Sequence, residues 1–246
     1  MGIKIGVERF TALKRMPEPP LLSRSDTTAV MIPLTLAGGF QDAYSYFVRG
    51  RVFANALTGN FVLMGHHFFT GDFSSAVRYL FPIAAFGSGV IVADQLRARV
   101  QLNGIFDWRH VVLAIEICLL TIVGLLPVND FFNPVANVLT SFSCAMQVQA
   151  FRNVNGYTYA STMCIGNVRN GMEAVSVYLR TRERGALNQA WQYFLITVVF
   201  FVGAGLGGVV SMIRWIRPQF AIFTVCCVLL SCFVLLALPQ KVKGEK

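Results

Sequence analysis

The chain has 246 residues, of which 55% are hydrophobic and 13% are charged, and its formal net charge is +9. Soluble domains average about 25% charged residues, so this chain has too few charges to cover a globular surface that faces water. The composition argues against a soluble enzyme and against a disordered chain, and it indicates a polytopic membrane protein in contact with the lipid bilayer. The basic residues form no single patch, so we expect no nucleic-acid partner.

Eight apolar segments follow a polar and basic stretch, residues 1–28, which we interpret as a cytoplasmic tail. A helix that spans a bilayer needs about 20 residues. The third, fourth, seventh and eighth segments meet this requirement. The first, second, fifth and sixth are interrupted by Gly, Asn, Gln or charged residues, and the second and sixth are the weakest. The segments are 29–48, 52–70, 76–96, 110–127, 131–151, 157–179, 190–213 and 219–238.

The positions of Lys and Arg favour six full spans over eight, because basic residues prefer short cytoplasmic loops. If the second and sixth segments are re-entrant or half-helices, Arg78 moves outside and four arginines move inside. These four are Arg97, Arg99, Arg109 and Arg152. We therefore expect an inner-membrane protein whose N-terminus and short basic tail, residues 239–246, both lie in the cytoplasm.

Matched motifs indicate an internal repeat. Ala37-Gly-Gly-Phe-Gln-Asp42 resembles Ser143-Cys-Ala-Met-Gln-Val148, and Leu57-Thr-Gly-Asn60 resembles Cys164-Ile-Gly-Asn167. With three spans in each half the second half is inverted, a recurring design of transporters with broken helices near the midplane. Four spans in each half would give a parallel repeat, and convergence on small residues at helix contacts is a further alternative. The two predicted halves are residues 29–127 and 131–238.

Polar residues inside the apolar segments are costly to insert, so each one needs an explanation. Asp42 follows two glycines that permit a helix break. We predict it to be a proton or cation site, with a pair to Arg49 or Arg51, or a cap on the broken helix, as the alternatives. The amides near Leu57-Thr-Gly-Asn60 indicate an unwound turn that coordinates a ligand. The predicted substrate-binding or translocation residues are Asp42, Asn55, Thr58, Gly59, Asn60, Gln147 and Asn167.

Two further acidic residues are candidates for proton or ion coupling beside Asp42. Glu116 has no basic residue within one helical turn, so it must be neutral, paired across helices or exposed to an aqueous path. Glu173 lies four residues after Arg169 on one helix face. This spacing indicates a structural ion pair, and the alternatives are an anion-binding arginine or a proton-coupled glutamate.

Signatures of enzymes and metal sites are missing from the sequence. It contains no G-x-S-x-G, H-E-x-x-H, phosphate-loop or G-x-G-x-x-G pattern. His66 and His67 are adjacent, whereas a helix needs the i, i+4 spacing to chelate a metal. The six cysteines have no C-x-x-C spacing, so we interpret them as buried small hydrophobes. We therefore expect no enzymatic activity, no cofactor and no metal.

Two stretches are similar to the YoaK family, a domain of unknown function (DUF1275). Gly39-Phe-Gln-Asp-Ala-Tyr-Ser-Tyr-Phe47 matches its G-x-x-D-A turn, and Phe53-Ala-Asn-Ala-Leu-Thr-Gly-Asn-Phe-Val-Leu-Met-Gly65 matches its T-G-N-x-x-x-x-G motif. The second-half motifs match in part, with Val148 in place of an amide and Ile165 in place of Thr. The resemblance implies a bacterial, transporter-like inner-membrane protein, and it implies no substrate.

Together these patterns predict an all-α polytopic transmembrane bundle of six to eight helices, in two homologous halves with broken or short helices. The expected function is that of a small-molecule permease or secondary transporter, which works by alternating access around a polar midplane site. A non-transporting membrane scaffold or sensor subunit is the first alternative, and an intramembrane enzyme is the second. The expected partners are lipid and an unknown small-molecule substrate, and assembly as a homo-oligomer stays open.

Overall fold

The computed structural model describes residues 24–100, 107–155, 157–159, 161–162, 164–215 and 217–238. The predicted C-terminal tail, 239–246, lies outside these residues. So do residues 1–23 of the predicted N-terminal tail, 1–28. The described part contains eight α-helices, which confirms the prediction of an all-α bundle. The helices are α1 (Thr28–Val48), α2 (Leu57–Phe69), α3 (Phe73–Arg99), α4 (Trp108–Leu125), α5 (Phe132–Ala150), α6 (Cys164–Thr181), α7 (Arg184–Ser211) and α8 (Phe223–Ala237), with two short strands, β1 (Asn153–Val154) and β2 (Tyr157–Thr158), and two 3-10 helices, Arg24–Asp26 and Pro218–Ile222.

Four helices in the described residues are long and apolar enough to cross a membrane: α3, α4, α7, and α8 with the 3-10 turn before it. Large apolar side chains face outward from them, such as Phe201 and Val209 of α7. In α1 and α5, by contrast, polar side chains are buried inside the protein. The apolar helices therefore present a surface suited to lipid, and α1 and α5 form a polar centre.

The central helices are held by close backbone contacts with their neighbours. A Cβ atom at Gly39 of α1 would overlap the carbonyl oxygen of Phe200 in α7. A Cβ atom at Gly89 of α3 would lie 2.5 Å from the carbonyl oxygen of Phe142 in α5. Only glycine allows an approach this close. The result is two tightly packed helix pairs, α1 with α7 and α3 with α5.

Contacts between helix termini define two ends of the bundle. Arg49, which follows α1, donates a hydrogen bond to the carbonyl oxygen of Leu126 after α4 (3.0 Å). At the other end Arg109, in the first turn of α4, donates to the carbonyl oxygen of Ala150 (3.0 Å) and lies 3.6 Å from the carboxylate of Asp26. We name these the Arg49 end and the Arg109 end. Helices α1 and α4 run from the Arg109 end to the Arg49 end, and α5 runs the opposite way.

Helix α2 is a short helix that begins inside the bundle. The chain turns back after α1, so that the backbone N–H of Asn55 lies 2.6 Å from Oδ1 of Asp42, inside α1. The 13 residues of α2 span about 20 Å at 1.5 Å per residue, which is less than the bilayer core of about 30 Å. Helix α3 then runs to the Arg109 end, where its Asp94 accepts a hydrogen bond from Gln149 of α5 (3.4 Å). Helix α2 therefore returns to the Arg49 end from which its chain entered.

Helix α6 enters from the opposite end. After α5 the chain pairs β1 with β2 and returns to the middle, where Thr162 packs on Gly38 of α1. Helix α7 is parallel to α1, because Gly203 lies on Leu36 and Gly207 lies on Phe40. Helix α7 therefore begins at the Arg109 end. Since α6 leads into α7, it runs from the middle of the bundle to that same end.

In two predicted segments, the helix begins later along the chain than the apolar pattern indicated. The segment at 52–70 becomes helical at Leu57, and the segment at 157–179 becomes helical at Cys164. The residues before each helix turn back into the bundle and are partly buried, for example Val52 and Tyr159. Their apolarity therefore reflects burial in a turn, and hydropathy does not mark the start of either helix.

Candidate functional site

A central cavity of about 790 Å³ lies where α2 and α6 begin. Its walls are α1, the turn before α2, the first turns of α2 and α6, and α7. Most of the lining is apolar and much of it is aromatic. The polar lining residues are Asp42, Asn55, Thr58, Thr162 and Cys164.

Asp42 caps the N-terminus of α2. Its Oδ1 atom accepts hydrogen bonds from the backbone N–H groups of Asn55 (2.6 Å) and Ala56 (3.4 Å), and its side chain is 5% exposed at the cavity wall. Helix α1 is continuous through Gly38, Gly39 and Asp42, so the predicted break in the first segment is absent. The cap that Asp42 forms is on the next helix, α2. The alternative pair with Arg49 is not formed, since the guanidinium of Arg49 bonds to the end of α4.

Two buried polar atoms in the cavity wall have no hydrogen-bond partner among the described residues. They are Oδ1 of Asn55 and Oγ1 of Thr162. The amide nitrogen of Asn55 is already used, because it donates to the carbonyl oxygen of Gly38 (3.2 Å). An unpaired buried polar atom costs free energy unless a ligand or an ordered water satisfies it. The turns before α2 and α6 each contribute one such residue to the cavity wall.

Asn60 holds the turn before α2 in place. Its Oδ1 accepts from the backbone N–H of Phe53 (3.0 Å), and its Nδ2 donates to the carbonyl oxygen of Phe53 (2.7 Å). Gly59 leaves room for the same residue, since a Cβ there would lie 2.9 Å from the Phe53 ring. Thr58 lies beside them with its side chain exposed at the cavity.

Gln147 and Asn167 are buried but do not line the cavity. Gln147 donates from Nε2 to the carbonyl oxygen of Leu34 (3.1 Å) and to Ser161 (3.4 Å), and its Oε1 has no partner among the described residues. Asn167 lies in the first turns of α6 and is 3% exposed. Of the predicted ligand residues, the structure therefore brings together Asp42, Asn55 and Thr58 at the cavity. Gly59 and Asn60 contact the turn before α2, and Gln147 bonds to Ser161 before α6.

Glu116 belongs to a buried polar cluster between α1, α4 and α5. Its Oε1 accepts from Nε2 of Gln41 (3.1 Å), and Oε1 of Gln41 accepts from the thiol of Cys144 (2.6 Å). Oε2 of Glu116 has no partner among the described residues. Gln41 was not predicted as a site residue, although it occupies in the first-half motif the place that Gln147 has in the second.

The predicted ion pair between Arg169 and Glu173 is not formed. Both side chains are exposed on α6, and the salt bridges between described residues do not include this pair. The prediction assumed that both charges were buried. The spacing places both residues on one face of α6 but does not by itself bring the two charges together.

Arg49 is a buried cation that sequence reasoning considered only as a partner for Asp42. Its side chain is fully buried and its Nε donates to the hydroxyl of Tyr44 (2.9 Å). Its other donors reach carbonyl oxygens at the end of α4, among them those of Val123 (2.6 Å) and Pro127 (2.9 Å). The negative end of the α4 dipole and these carbonyl groups stabilise the charge. No sequence signal distinguished this role from that of an interfacial arginine.

The described residues contain no group of three or more His, Cys, Asp or Glu side chains that could hold a metal ion. All six cysteines are free thiols. His67 lies 3.1 Å from the carboxylate of Asp72 and stacks on Tyr79, at the turn between α2 and α3. These histidine contacts join two helices and lie outside the cavity.

Comparison with known proteins places the chain in a family. The family described as protein of unknown function (DUF1275) matches residues 30–236. The UPF0700 transmembrane protein YoaK of Bacillus subtilis (strain 168) is 24% identical over 221 residues, which cover 87% of this chain and 94% of that protein. No solved structure matches the chain. The apolar helices around a polar centre and the match over most of the sequence lead to one conclusion: the chain is a transmembrane protein that belongs to the DUF1275 family.

Proposed function

We propose that the protein is a small-molecule permease or secondary transporter that works by alternating access around the central cavity. The observation that carries this proposal is the position of the two half-helices. Helices α2 and α6 enter from opposite ends and both begin at a cavity that holds Asp42, Asn55 and Thr58. Backbone that is not helical is tolerated at membrane depth where it is buried in protein or lines a cavity.

The helix packing supports an inverted repeat of two halves, residues 29–127 and 131–238. Helix α1 of the first half packs on α7 of the second, and α5 of the second half packs on α3 of the first. When the two halves are exchanged, α1 corresponds to α5 and α7 corresponds to α3, so the α1–α7 contact becomes the α5–α3 contact. Transporters built in this way move one helix group against the other around a site between them. In this protein the α1–α7 pair and the α3–α5 pair are the candidate moving groups.

Asp42 is the candidate coupling residue. It lines the cavity, and its carboxylate holds the first residues of α2 through backbone hydrogen bonds. Protonation or cation binding at Asp42 would weaken that cap, so ion binding would be linked to the position of α2. Glu116 is a second candidate because it is buried without a basic partner among the described residues. Glu173, which is exposed on α6, is the third.

The charge distribution supports an inner-membrane protein with its Arg109 end in the cytoplasm, since basic residues favour that side. Helix α8 also ends there, because Phe233 contacts His110 of α4. Both termini would then be cytoplasmic. The Arg109 end carries Arg97, Arg99, Arg109, Arg152, Arg180, Arg182 and Arg184, and the Arg49 end carries Arg49, Arg51, Arg78, Arg214 and Arg217.

We also propose that the protein is not an enzyme. Glu116 and His66 are absent from the cavity lining, as is Glu173, so none of them shares the cavity with Asp42. General acid–base chemistry needs a donor and an acceptor at the same reacting group. The cavity lining provides a single carboxylate for this purpose.

The test uses Cys164, a native thiol in the cavity wall. The other five cysteines are replaced, and a membrane-impermeant thiol reagent is applied to right-side-out and to inside-out vesicles. Alternating access predicts that Cys164 reacts from both sides. A matched variant that keeps only Cys144, which is buried outside the cavity, should react from neither side. Labelling of Cys164 from one side only would contradict the proposal and favour a fixed pocket, as in a scaffold or sensor subunit.

A further inference from the structure

We infer that the central cavity binds a small organic cation: an ammonium group on an apolar body. This inference deepens the proposed function and rests on it, because the ligand would be the substrate of the proposed transport. Three independent features of the wall carry it. They are the charge of the lining, its unpaired hydrogen-bond acceptors and its aromatic rings.

The first feature is the sign of the charge. Asp42 is the one carboxylate among the lining residues, all of which the structure describes, and no Lys, Arg or His is among them. The nearby arginine, Arg49, is buried against α4 and donates to carbonyl oxygens there. A cation that enters the cavity is therefore attracted by the Asp42 carboxylate. An anion is repelled by it, and no basic side chain in the lining compensates for this repulsion.

The second feature is the type of unpaired polar atom. Oδ1 of Asn55 can only accept a hydrogen bond, and the Asn55 side chain is 6% exposed. Oγ1 of Thr162 is also unpaired, and the Thr162 residue is 7% exposed. An ammonium group brings several N–H donors and no acceptor. It can donate to the unpaired oxygen of Asn55, whereas a carboxylate ligand has no hydrogen to donate.

The third feature is the aromatic lining. The rings of Tyr46, Phe47, Phe53 and Phe200 border the cavity. Tyr46 stacks on Phe53 at 4.7 Å between ring centroids and meets Phe47 edge-on at 5.4 Å. Aromatic faces attract cations and also cover apolar surface. The cavity of about 790 Å³ lies within the range of about 300–1,000 Å³ that is usual for small-molecule sites.

The first turn of α6 is the feature that would favour an anion instead. The N-terminus of a helix attracts negative charge, and Cys164, Ile165 and Gly166 border the cavity. The corresponding groups before α2 are already bonded to Asp42. An anion at α6 would therefore share the cavity with the Asp42 carboxylate. The experiment includes an anionic ligand so that the two possibilities separate.

The experiment measures binding to the purified full chain in lipid nanodiscs by titration calorimetry. Three ligands of similar shape are compared at pH 7: the phenethylammonium ion, 2-phenylethanol and 3-phenylpropionate. We expect the ammonium ion to bind at least tenfold more tightly than either of the others. Asp42→Asn keeps an oxygen that can cap α2 but removes the charge, and it should weaken ammonium binding at least tenfold. The control Asp94→Asn removes an exposed carboxylate of α3 outside the cavity and should leave binding unchanged.

A second variant covers the case in which Asp42→Asn fails to fold. Tyr46→Leu removes an aromatic face and keeps an apolar side chain, and it should weaken binding of the ammonium ion more than binding of the alcohol. The inference is overturned if the ammonium ion does not bind, if the alcohol or the acid binds as tightly, or if neither variant changes its affinity. Uptake of labelled phenethylammonium into proteoliposomes is measured separately. Binding without uptake would overturn the proposed transport while the ligand class stands.

Discussion

Replacement of Asn60 by leucine tests whether this residue is structural, as its contacts indicate, or binds a ligand, as its motif suggested. The side chain is fully buried, and both of its polar atoms bond to the backbone of Phe53. Leucine has a similar volume but leaves the N–H and C=O groups of Phe53 unpaired. Each unpaired buried group costs about 1–3 kcal/mol. We therefore expect the free energy of unfolding to fall by about 2–6 kcal/mol.

The assay is unfolding in mixed micelles of increasing SDS fraction, monitored by circular dichroism. Thr58→Val is the matched control, because Thr58 lies two residues earlier with an exposed side chain, and it should change stability by less than about 0.5 kcal/mol. Asn60→Asp should lie between the two, since it keeps the acceptor for Phe53 N–H and loses the donor to Phe53 C=O. If Asn60→Leu unfolds like the wild type but loses ligand binding, the structural role is wrong.

Three further outcomes are expected. Gly39→Val should lower the free energy of unfolding by about 1–3 kcal/mol, because the valine side chain would overlap the backbone of Phe200. The control is Gly87→Ala, since Gly87 has open space around it. Equal thermal midpoints for the two variants would refute the contact. Arg49→Met should lower stability by about 3 kcal/mol, as charge-assisted hydrogen bonds are lost, and Arg49→Lys should recover part of it. Hydrogen bonds from Ser75 lower the pKa of the Asp72 carboxyl. The Asp72 cap therefore stabilises α3 at pH values above the ordinary pKa of an aspartate, and this stabilisation is lost as the pH falls through the lowered pKa. Asp72→Asn should remove this pH dependence of the melting temperature.

The sequence predicted the architecture well because lipid imposes a simple rule on composition. Long apolar segments mark α3, α4, α7 and α8 directly. The second and sixth segments contain α2 and α6. Neither is among the four helices of the described residues that are long and apolar enough to cross a membrane, and their re-entrance stays a prediction. Their starting residues were not predictable from hydropathy, because the turns before Leu57 and Cys164 are buried and apolar too.

The candidate site was predictable in part, for a related physical reason. The cost of burying a polar residue identifies that residue as unusual, but it does not identify the neighbour that forms its hydrogen bonds. Asp42 and Asn55 were selected for that cost and do line the cavity, whereas Asn60 was selected for the same cost and bonds to Phe53. Thr162 was missed as a site residue because a threonine in an apolar segment is cheap to bury. Arg49 was missed because its partners are carbonyl oxygens, which no sequence pattern marks.

The most direct test of the account is the side of the membrane on which each half-helix ends. Thr70 and Thr181 are a matched pair: each is exposed, lies at the end of its half-helix and bonds to its own helix backbone. Each is replaced by cysteine in a background without the native cysteines, and an impermeant thiol reagent is applied to intact cells and to inverted vesicles. The account predicts that Thr70→Cys reacts only from outside and Thr181→Cys only from the cytoplasm. Reaction of both from the same side would mean that α2 and α6 do not end on opposite sides of the membrane. The opposed half-helices on which the transport proposal depends would then be wrong.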